Sequence, residues 1–456
     1  PERATDVALP LSHDAARAAA RTVLDLAGAD DVEVVISASE SGLTRYANSE
    51  IIQNTVRKEL RAGVRVVTGG RVASATTNQL DRDSLRRATE RALEAARSTP
   101  VDEEFPGLAR PEDVGRPDPI MRFDESTATA DPAQRAQAVK DILAVVGDGN
   151  AAGIFETGAH AYAVFSSTGV DCFDAYSRCT TTCLVDLGDG TGWGEASSFR
   201  SSDVDVAATA RRALDKARAG AGVDAEPGTY EVVLEPSAVA TLIDYLSFTG
   251  FGAKQMLEGE SFLASKQGAA VAGPGITITD DASHERSVGI AFDFEGVPKK
   301  RVAVIDGGKA IQPVTDLRTA RRLDTTSTGH ASGSDEFGPY ASNVVMAGGD
   351  KSLEELIAGV DDGFLVTRFH YVNVLDRPAT LLTGMTRDGT FRIRGGELAE
   401  AVHNFRFAQS VLDSFKSTKG IGKDLYSFAP DYSSFGSSVA PALHVGEFHF
   451  ASRTSH

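Results

Sequence analysis

The strongest constraint in this 456-residue chain is a unit that occurs twice. Arg91-Ala92-Leu93-Glu94-Ala95-Ala96-Arg97 is answered by Arg212-Ala213-Leu214-Asp215-Lys216-Ala217-Arg218. Each follows small residues at the end of a run of strands, Ala73-Ser74 in the first copy and Ala196-Ser197-Ser198 in the second. The first copy opens with an alanine-rich helix over 14–26, to which Val23, Leu24 and Leu26 lend apolar surface. Strand-like alternation follows over 31–38, 44–52, 55–63 and 64–76, broken by a Gly69-Gly70 turn. A helix over 81–97 then places Leu85, Ala88, Ala92, Leu93 and Ala96 on one face. In the second copy a helix over 133–146 comes first. An amphipathic helix and a half-buried antiparallel meander each need cover, so the pattern predicts helix, strands and helix, repeated. Alanine-rich composition alone would also make two such helices look alike.

The copies are separated by 98–131, rich in Pro, Asp and Glu and without periodicity, which reads as an irregular connection laid on the surface. Ala-Gly-Val-Asp-Ala-Glu-Pro-Gly over 221–228 marks a domain boundary, and the length favours two cores over one. The expected domains are 1–225 and 226–456. Beyond the boundary, strands are expected at 230–234, 275–280, 287–294, 302–306 and 363–375, with Asp306-Gly307-Gly308 as a tight turn. Segments 380–386 and 391–394 flank Asp388-Gly389, the clearest hairpin signal in the chain, and a short helix is expected near 409–415. The fold class is therefore α+β: an N-terminal α/β domain of helices and antiparallel strands with an approximate internal repeat, then a mostly antiparallel, barrel-like C-terminal β domain.

Bulk chemistry excludes several roles. A formal charge of −18 argues against a nucleic-acid surface, which needs a basic patch. No apolar run reaches the roughly 18–20 residues of a membrane span. The start Pro1-Glu2-Arg3-Ala4-Thr5-Asp6 lacks a leader pattern. Cys172, Cys179 and Cys183 are too few and too odd for a disulfide framework and read as buried strand thiols in a reducing cytoplasm.

Few residues suggest chemistry of their own. His284-Glu285 has no second histidine at helical spacing and reads as a hairpin edge. His444 and His449 lie five apart, on opposite faces of a strand, and read as surface residues. Gly188-Asp189-Gly190-Thr191-Gly192 is a turn without the Lys-Ser/Thr of a phosphate loop. Glu258, Glu260, Asp280 and Asp281 read as a solvated acidic face. Trp193, the sole tryptophan, invites an interface role. In Ser327-Thr328-Gly329-His330, small residues allow close approach to a ligand or partner, so His330 is either a contact or a loop histidine satisfied by backbone. Ser327 beside it lacks a nucleophile-elbow pattern.

One stretch carries a family likeness. Val239, Leu242, Ile243 and Leu246 give a helix a buried face, with Pro236 in its first turn, and the chain continues Gly250-Phe251-Gly252-Ala253-Lys254-Gln255-Met256-Leu257-Glu258-Gly259-Glu260. Further on come Phe292-Asp293-Phe294-Glu295-Gly296-Val297-Pro298, then Ser327-Thr328-Gly329-His330, and finally Phe435-Gly436-Ser437-Ser438-Val439-Ala440-Pro441. In that order these segments resemble the TldD/PmbA (TldE) family, the "modulator of DNA gyrase" metallopeptidase subunits, and the PmbA/TldE branch most of all. The TldD-like branch carries His-Glu-x-x-x-His before Leu-Glu-Gly-acid, and a cysteine near the end completes its zinc site. Here Leu257-Glu258-Gly259-Glu260 is retained, while Gly250, Phe251 and Gln255 stand at the motif positions and Phe435 where the cysteine is common. Glycine and phenylalanine have no lone pair for zinc, and glutamine is a weak ligand.

The resemblance therefore implies no catalytic residue, metal or cofactor in this chain. Zinc is expected in a TldD-like catalytic partner with which it forms a heterodimer acting on peptides, and whether it forms a homodimer when alone stays open. Glu258, Gly259, Ser327, Gly329 and His330 become candidate substrate or partner contacts. Two alternatives remain: a free-standing hydrolase of a small ester or amide, and a homodimeric regulatory binding protein.

Overall fold

The computed structural model describes residues 9–430 and 435–454. The N-terminal residues read above for a leader lie outside them. Among the described residues no helix is long and apolar enough to cross a membrane.

Helix α1 (His13–Ala27) leads into strands β1 (Asp31–Ala47), β2 (Glu50–Thr68) and β3 (Arg71–Thr77) and helix α2 (Arg82–Ser98). A connection holding two four-residue helices, α3 (Pro111–Val114) and α4 (Glu125–Ala128), follows. The order then recurs as α5 (Pro132–Val146), β4 (Asn150–Ser166), β5 (Asp171–Asp186), β6 (Thr191–Ser198) and α6 (Val206–Ala217). Helices α1 and α5 begin and end 119 residues apart (13 to 132, 27 to 146), and so do β1 and β4. The strands form one antiparallel sheet in the order β3-β2-β1-β4-β5-β6, so the two copies meet where β1 pairs β4. Carboxylates start the helices: Asp81 accepts from Ser84 N, Asp205 from Ala208 N, and Asp131 forms a capping box with Gln134 ahead of Pro132.

Each half has its own core on one face of the sheet. Val32, Val34, Ile36, Ala62, Val64 and Val66 meet α1 and α2, whereas Phe155, Cys179, Cys183 and Val185 meet α5 and α6. All three cysteines are free and buried. Strand β1 runs unbroken to Ala47, and the reversal into β2 is made by Asn48 and Ser49, both at positive φ. Gly190, Gly192 and Gly194 let α6 lie directly on β6, because a Cβ at each would fall 2.0–2.3 Å from the carbonyls of Ala217, Ala213 and Thr209. Two residues of strand advance about 6.6 Å and four of helix about 6.0 Å, so the two backbones stay in step.

The C-terminal part holds two sheets. Strands β7 (Gly228–Leu234), β12 (Asp362–Asp376), β13 (Leu381–Arg394), β15 (Phe405–Ser410) and β19 (Leu443–Arg453) pair in the order β12-β7-β19-β15-β13. A further β12–β13 ladder closes them into a ring, with β14 (Glu397–Ala401) and β16 (Thr418–Ile421) attached outside. Phe364, Phe369, Phe405, Phe407, Phe448 and Phe450 belong to its core, with ring centroids 4.6–5.8 Å apart between neighbours, so side chains fill this small barrel. The second sheet runs β10-β9-β8-β11-β18-β17, from β8 (Ile278–Asp280), β9 (Val302–Asp306), β10 (Lys309–Ala310), β11 (Asn343–Met346), β17 (Tyr426–Phe428) and β18 (Ser437–Ala440).

Three sequence readings are corrected here. Asp388-Gly389 is not a hairpin turn. It sits inside β13 at positive φ, where the register with β12 shifts, and Arg368 on β12 pairs with the Asp388 carboxylate. A two-residue turn signal also suits a bulge, since both need positive φ. Segment 287–294 is not a strand: Val288 N donates to Ser437 Oγ and Ala291 N to Asp174 Oδ2, while Ser287, Asp293 and Phe294 N–H groups bond turn and loop carbonyls instead of a ladder. His284-Glu285 lies in a turn rather than on a hairpin edge.

Gly192→Ala is expected to lower stability by about 2–3 kcal/mol through backbone overlap with α6. Gly188→Ala meets open space and adds only the strain of its φ of +92°, about 1–2 kcal/mol. Urea unfolding of both variants measures the difference, and equal losses would refute direct contact between β6 and α6.

Candidate functional site

The helix-free face of the N-terminal sheet is covered by the C-terminal part. Val164, Val170, Cys172, Tyr176 and Phe199 pack there against Val288, Ile290, Phe292 and Val297. Two adjoining cavities open along this seam and share Phe294 and Ser332. One, about 280 Å³, is lined on the sheet side by Glu33, Ser37, Arg65, Ser74 and Thr76. The other, about 390 Å³, lies between aromatic rings and holds Asp293, Lys299 and His330. A larger cavity of about 570 Å³ lies beside Trp193, over whose ring the Arg368 guanidinium stacks at 3.7 Å. The aromatic cavity is the candidate site, because His330 and Phe435, far apart in sequence, meet there.

The other motif positions surround it unequally. Helix α7 (Pro236–Gly250) ends at Gly250, where a Cβ would press on the Phe262 ring, and Phe251 is fully buried edge-on against the same ring. The next helix, α8 (Ala253–Leu257), carries Gln255, whose Nε2 donates to Phe337 O at 3.0 Å. Phe337 lines the cavity, so Gln255 braces its wall. Glu258 and Gly259 are exposed at the end of α8, where Glu258 pairs with Lys254 at 2.8 Å. Ser327 Oγ donates to Thr315 O and accepts from Gly329 N, and is not paired with His330. Gly329, at φ +76°, crosses so close to Pro298 that a Cβ would stand 2.3 Å from its carbonyl oxygen.

His330 is a buried loop residue, and side chains as well as backbone face it. Its Nδ1 lies 3.0 Å from Thr328 Oγ1 and its Nε2 2.9 Å from Asp280 Oδ1. The latter contact is off the axis of a hydrogen bond, which leaves both atoms without a hydrogen-bond partner, so the pair is an electrostatic one. Asp280 is fully buried rather than part of a solvated acidic face. Burial pushes its carboxyl pKa up, but His330, the Lys299 ammonium and the Asn343 N–H outweigh that and hold it below the usual range. His444 is likewise buried, against Glu231, in place of the surface position expected for it.

Lys299 and Asp293 carry no sequence signature that would have marked them. Lys299 Nζ donates to Ser342 Oγ at 2.5 Å and Asn343 Oδ1 at 3.1 Å, and stands 5.0 Å from the centroid of the Phe435 ring. Asp293 ties its surroundings together: Oδ1 accepts from Glu295 N and Val297 N, and Oδ2 from Ala331 N. Burial pushes its carboxyl up to about 7 against those three N–H groups.

These residues do not fit a zinc ion. Gly250 offers no ligand, Phe251 is packed in the core, the Gln255 amide is engaged with the Phe337 carbonyl, and the Phe435 ring already faces an ammonium. Among the described residues no three His, Cys, Asp or Glu side chains gather as a metal site.

The family models described as PmbA/TldA metallopeptidase C-terminal domain and PmbA/TldA metallopeptidase domain 1 match residues 227–452 and 32–96. A protein of Methanothermobacter thermautotrophicus described as a metalloprotease is 27% identical over 199 residues, 43% of either chain. An uncharacterized protein of Methanocaldococcus jannaschii is 26% identical over 306 residues, 64% of this chain and 69% of its own. The match thus spans less than half the length of the first of these curated relatives. The crystal structure of TldE from Thermococcus kodakarensis shares the fold, with a TM-score of 0.83 at 20% identity over 96% of this chain and 99% of its own.

Asp280→Asn removes the charge facing His330 and Lys299 and is expected to destabilise by about 3–5 kcal/mol near pH 7. Because the folded carboxyl lies below its unfolded value near 3.9, that contribution is complete above about pH 4 and fades as pH falls through the folded value. Urea midpoints of wild type and variant should therefore converge in acid, and a constant gap across pH would refute the assignment.

Proposed function

This chain belongs to the PmbA/TldD metallopeptidase family, and we propose that it acts there as a subunit without zinc chemistry of its own, shaping the peptide cleft of a zinc-bearing, TldD-like partner. One observation carries the reading: at the four positions matched to the metal motif stand Gly250, Phe251, Gln255 and Phe435, and the Lys299 head group lies against the last of them. A metallopeptidase needs a Lewis acid to polarise the scissile carbonyl and activate water. In this reading the partner supplies it and this chain supplies walls.

The N-terminal sheet supports association. Over 50–61, β2 pairs among the described residues with β1 alone, since β3 joins only from Ala62 onward, and Ile51, Ile52 and Val56 are exposed there. A long strand with one unpaired edge and exposed apolar side chains invites strand addition by a second chain. Free, buried cysteines and a charge of −18 suit a cytoplasmic role without nucleic acid. The substrate is a peptide, captured in extended form along the seam between the N-terminal sheet and the C-terminal loops.

Native mass spectrometry of the chain co-expressed with a His-Glu-x-x-x-His family member in zinc-supplemented medium tests this. The expected result is a one-to-one complex carrying a single zinc, with this chain metal-free when isolated. Stoichiometric zinc on the isolated chain would overturn the reading.

A further inference from the structure

We propose that the aromatic cavity is a carboxylate site that takes the C-terminal residue of a peptide, its apolar side chain among the rings and its carboxylate on Lys299. This deepens the reading above, on which its peptide ligand rests.

The cavity, about 390 Å³, lies within the range of small-ligand sites. Phe248, Phe294, Phe337, Tyr340 and Phe435 line it, a surface suited to an aromatic or branched aliphatic side chain. Lys299 is the one lysine or arginine among its lining residues. An ammonium has three N–H donors. Two reach Ser342 and Asn343, and the third has no acceptor among the described residues, although the head group lies in the cavity, over Phe435. Burial lowers its pKa from the ordinary lysine value, with Asp280 and Asp293 opposing that shift in part. An acceptor anion would complete the third bond and gain a charge-assisted contact in a site of low dielectric.

Asp293, the carboxylate in the lining, accepts from Glu295 N, Val297 N and Ala331 N, and Lys299 donates instead to Ser342 and Asn343. A phosphate would bring more acceptors and more charge than one ammonium can meet, so a carboxylate fits better. The geometry also gives the rest of the peptide a way out. Ser334 is exposed at the rim, and Ser332 and Phe294 are shared with the sheet-side cavity, whose Ser37, Ser74 and Thr76 offer polar partners to upstream residues.

Isothermal titration of the full chain with the tripeptide Ala-Ala-Phe, as free acid and as C-terminal amide, tests the site. The acid should bind at least tenfold more tightly than the amide. Lys299→Met should abolish that preference while leaving amide binding unchanged, with circular dichroism as the check on folding. Phe337→Ala, which leaves Lys299 in place, should weaken both ligands and preserve their ratio. Equal binding of acid and amide to wild type, a preference that survives Lys299→Met, or no binding of the acid at 5 mM would each overturn the site. None of those results bears on one-to-one assembly with a zinc-bearing partner, so the two readings fail separately.

Discussion

A single carboxylate holds the two parts of this protein in register. Asp174, near the start of β5 and fully buried, accepts hydrogen bonds from four backbone N–H groups: Ile120 and Met121 in the inter-repeat connection, Ala175 beside it, and Ala291 in the C-terminal part. A buried carboxylate without partners would be prohibitively costly, and four N–H donors from three segments offset that cost. Desolvation still wins, and its pKa lies above the ordinary value. Because Asp174 orders 287–294 without a strand ladder, that segment can pack Val288, Ile290 and Phe292 onto the bare face of the N-terminal sheet. The seam, and with it both cavities, depends on this tie.

Asp293 repeats the device one layer further in. Its three N–H partners staple the 293–297 turn to Ala331, and so bring Lys299 and His330 to the same cavity. Lys299 is steered by Ser342 and Asn343, while Asn343 N donates to Asp280, the carboxylate beside His330. Polar ties of this kind are local in space and remote in sequence.

Legibility followed the same division. The repeat was readable because its determinants are local: apolar spacing, Asp caps, and the Gly69-Gly70 turn, both of whose glycines have positive φ. The closed barrel was readable only as a strand-rich tendency, since the ring rests on the long-range β7–β12 and β7–β19 ladders. Asp388-Gly389 misled because bulges and hairpins demand the same backbone. Segment 287–294 misled because its alternation reflects packing on another sheet while its hydrogen bonds are split between side chains and turn or loop carbonyls. His330, Asp280 and His444 looked like loop or surface groups because the charged partner each one faces lies at least 50 positions away.

By itself the sequence determined the repeated architecture and the chemistry denied to the motif positions, since glycine and phenylalanine lack lone pairs for a metal in any fold. Only the tertiary structure decided what stands there instead. Lys299 meets Phe435 across 136 residues, brought there by a turn anchored on Asp293 and by Ser342 and Asn343 at the head of β11. No periodicity or spacing encodes such a meeting, because it depends on side-chain to backbone hydrogen bonds between segments that come together only when the two parts of the chain have packed.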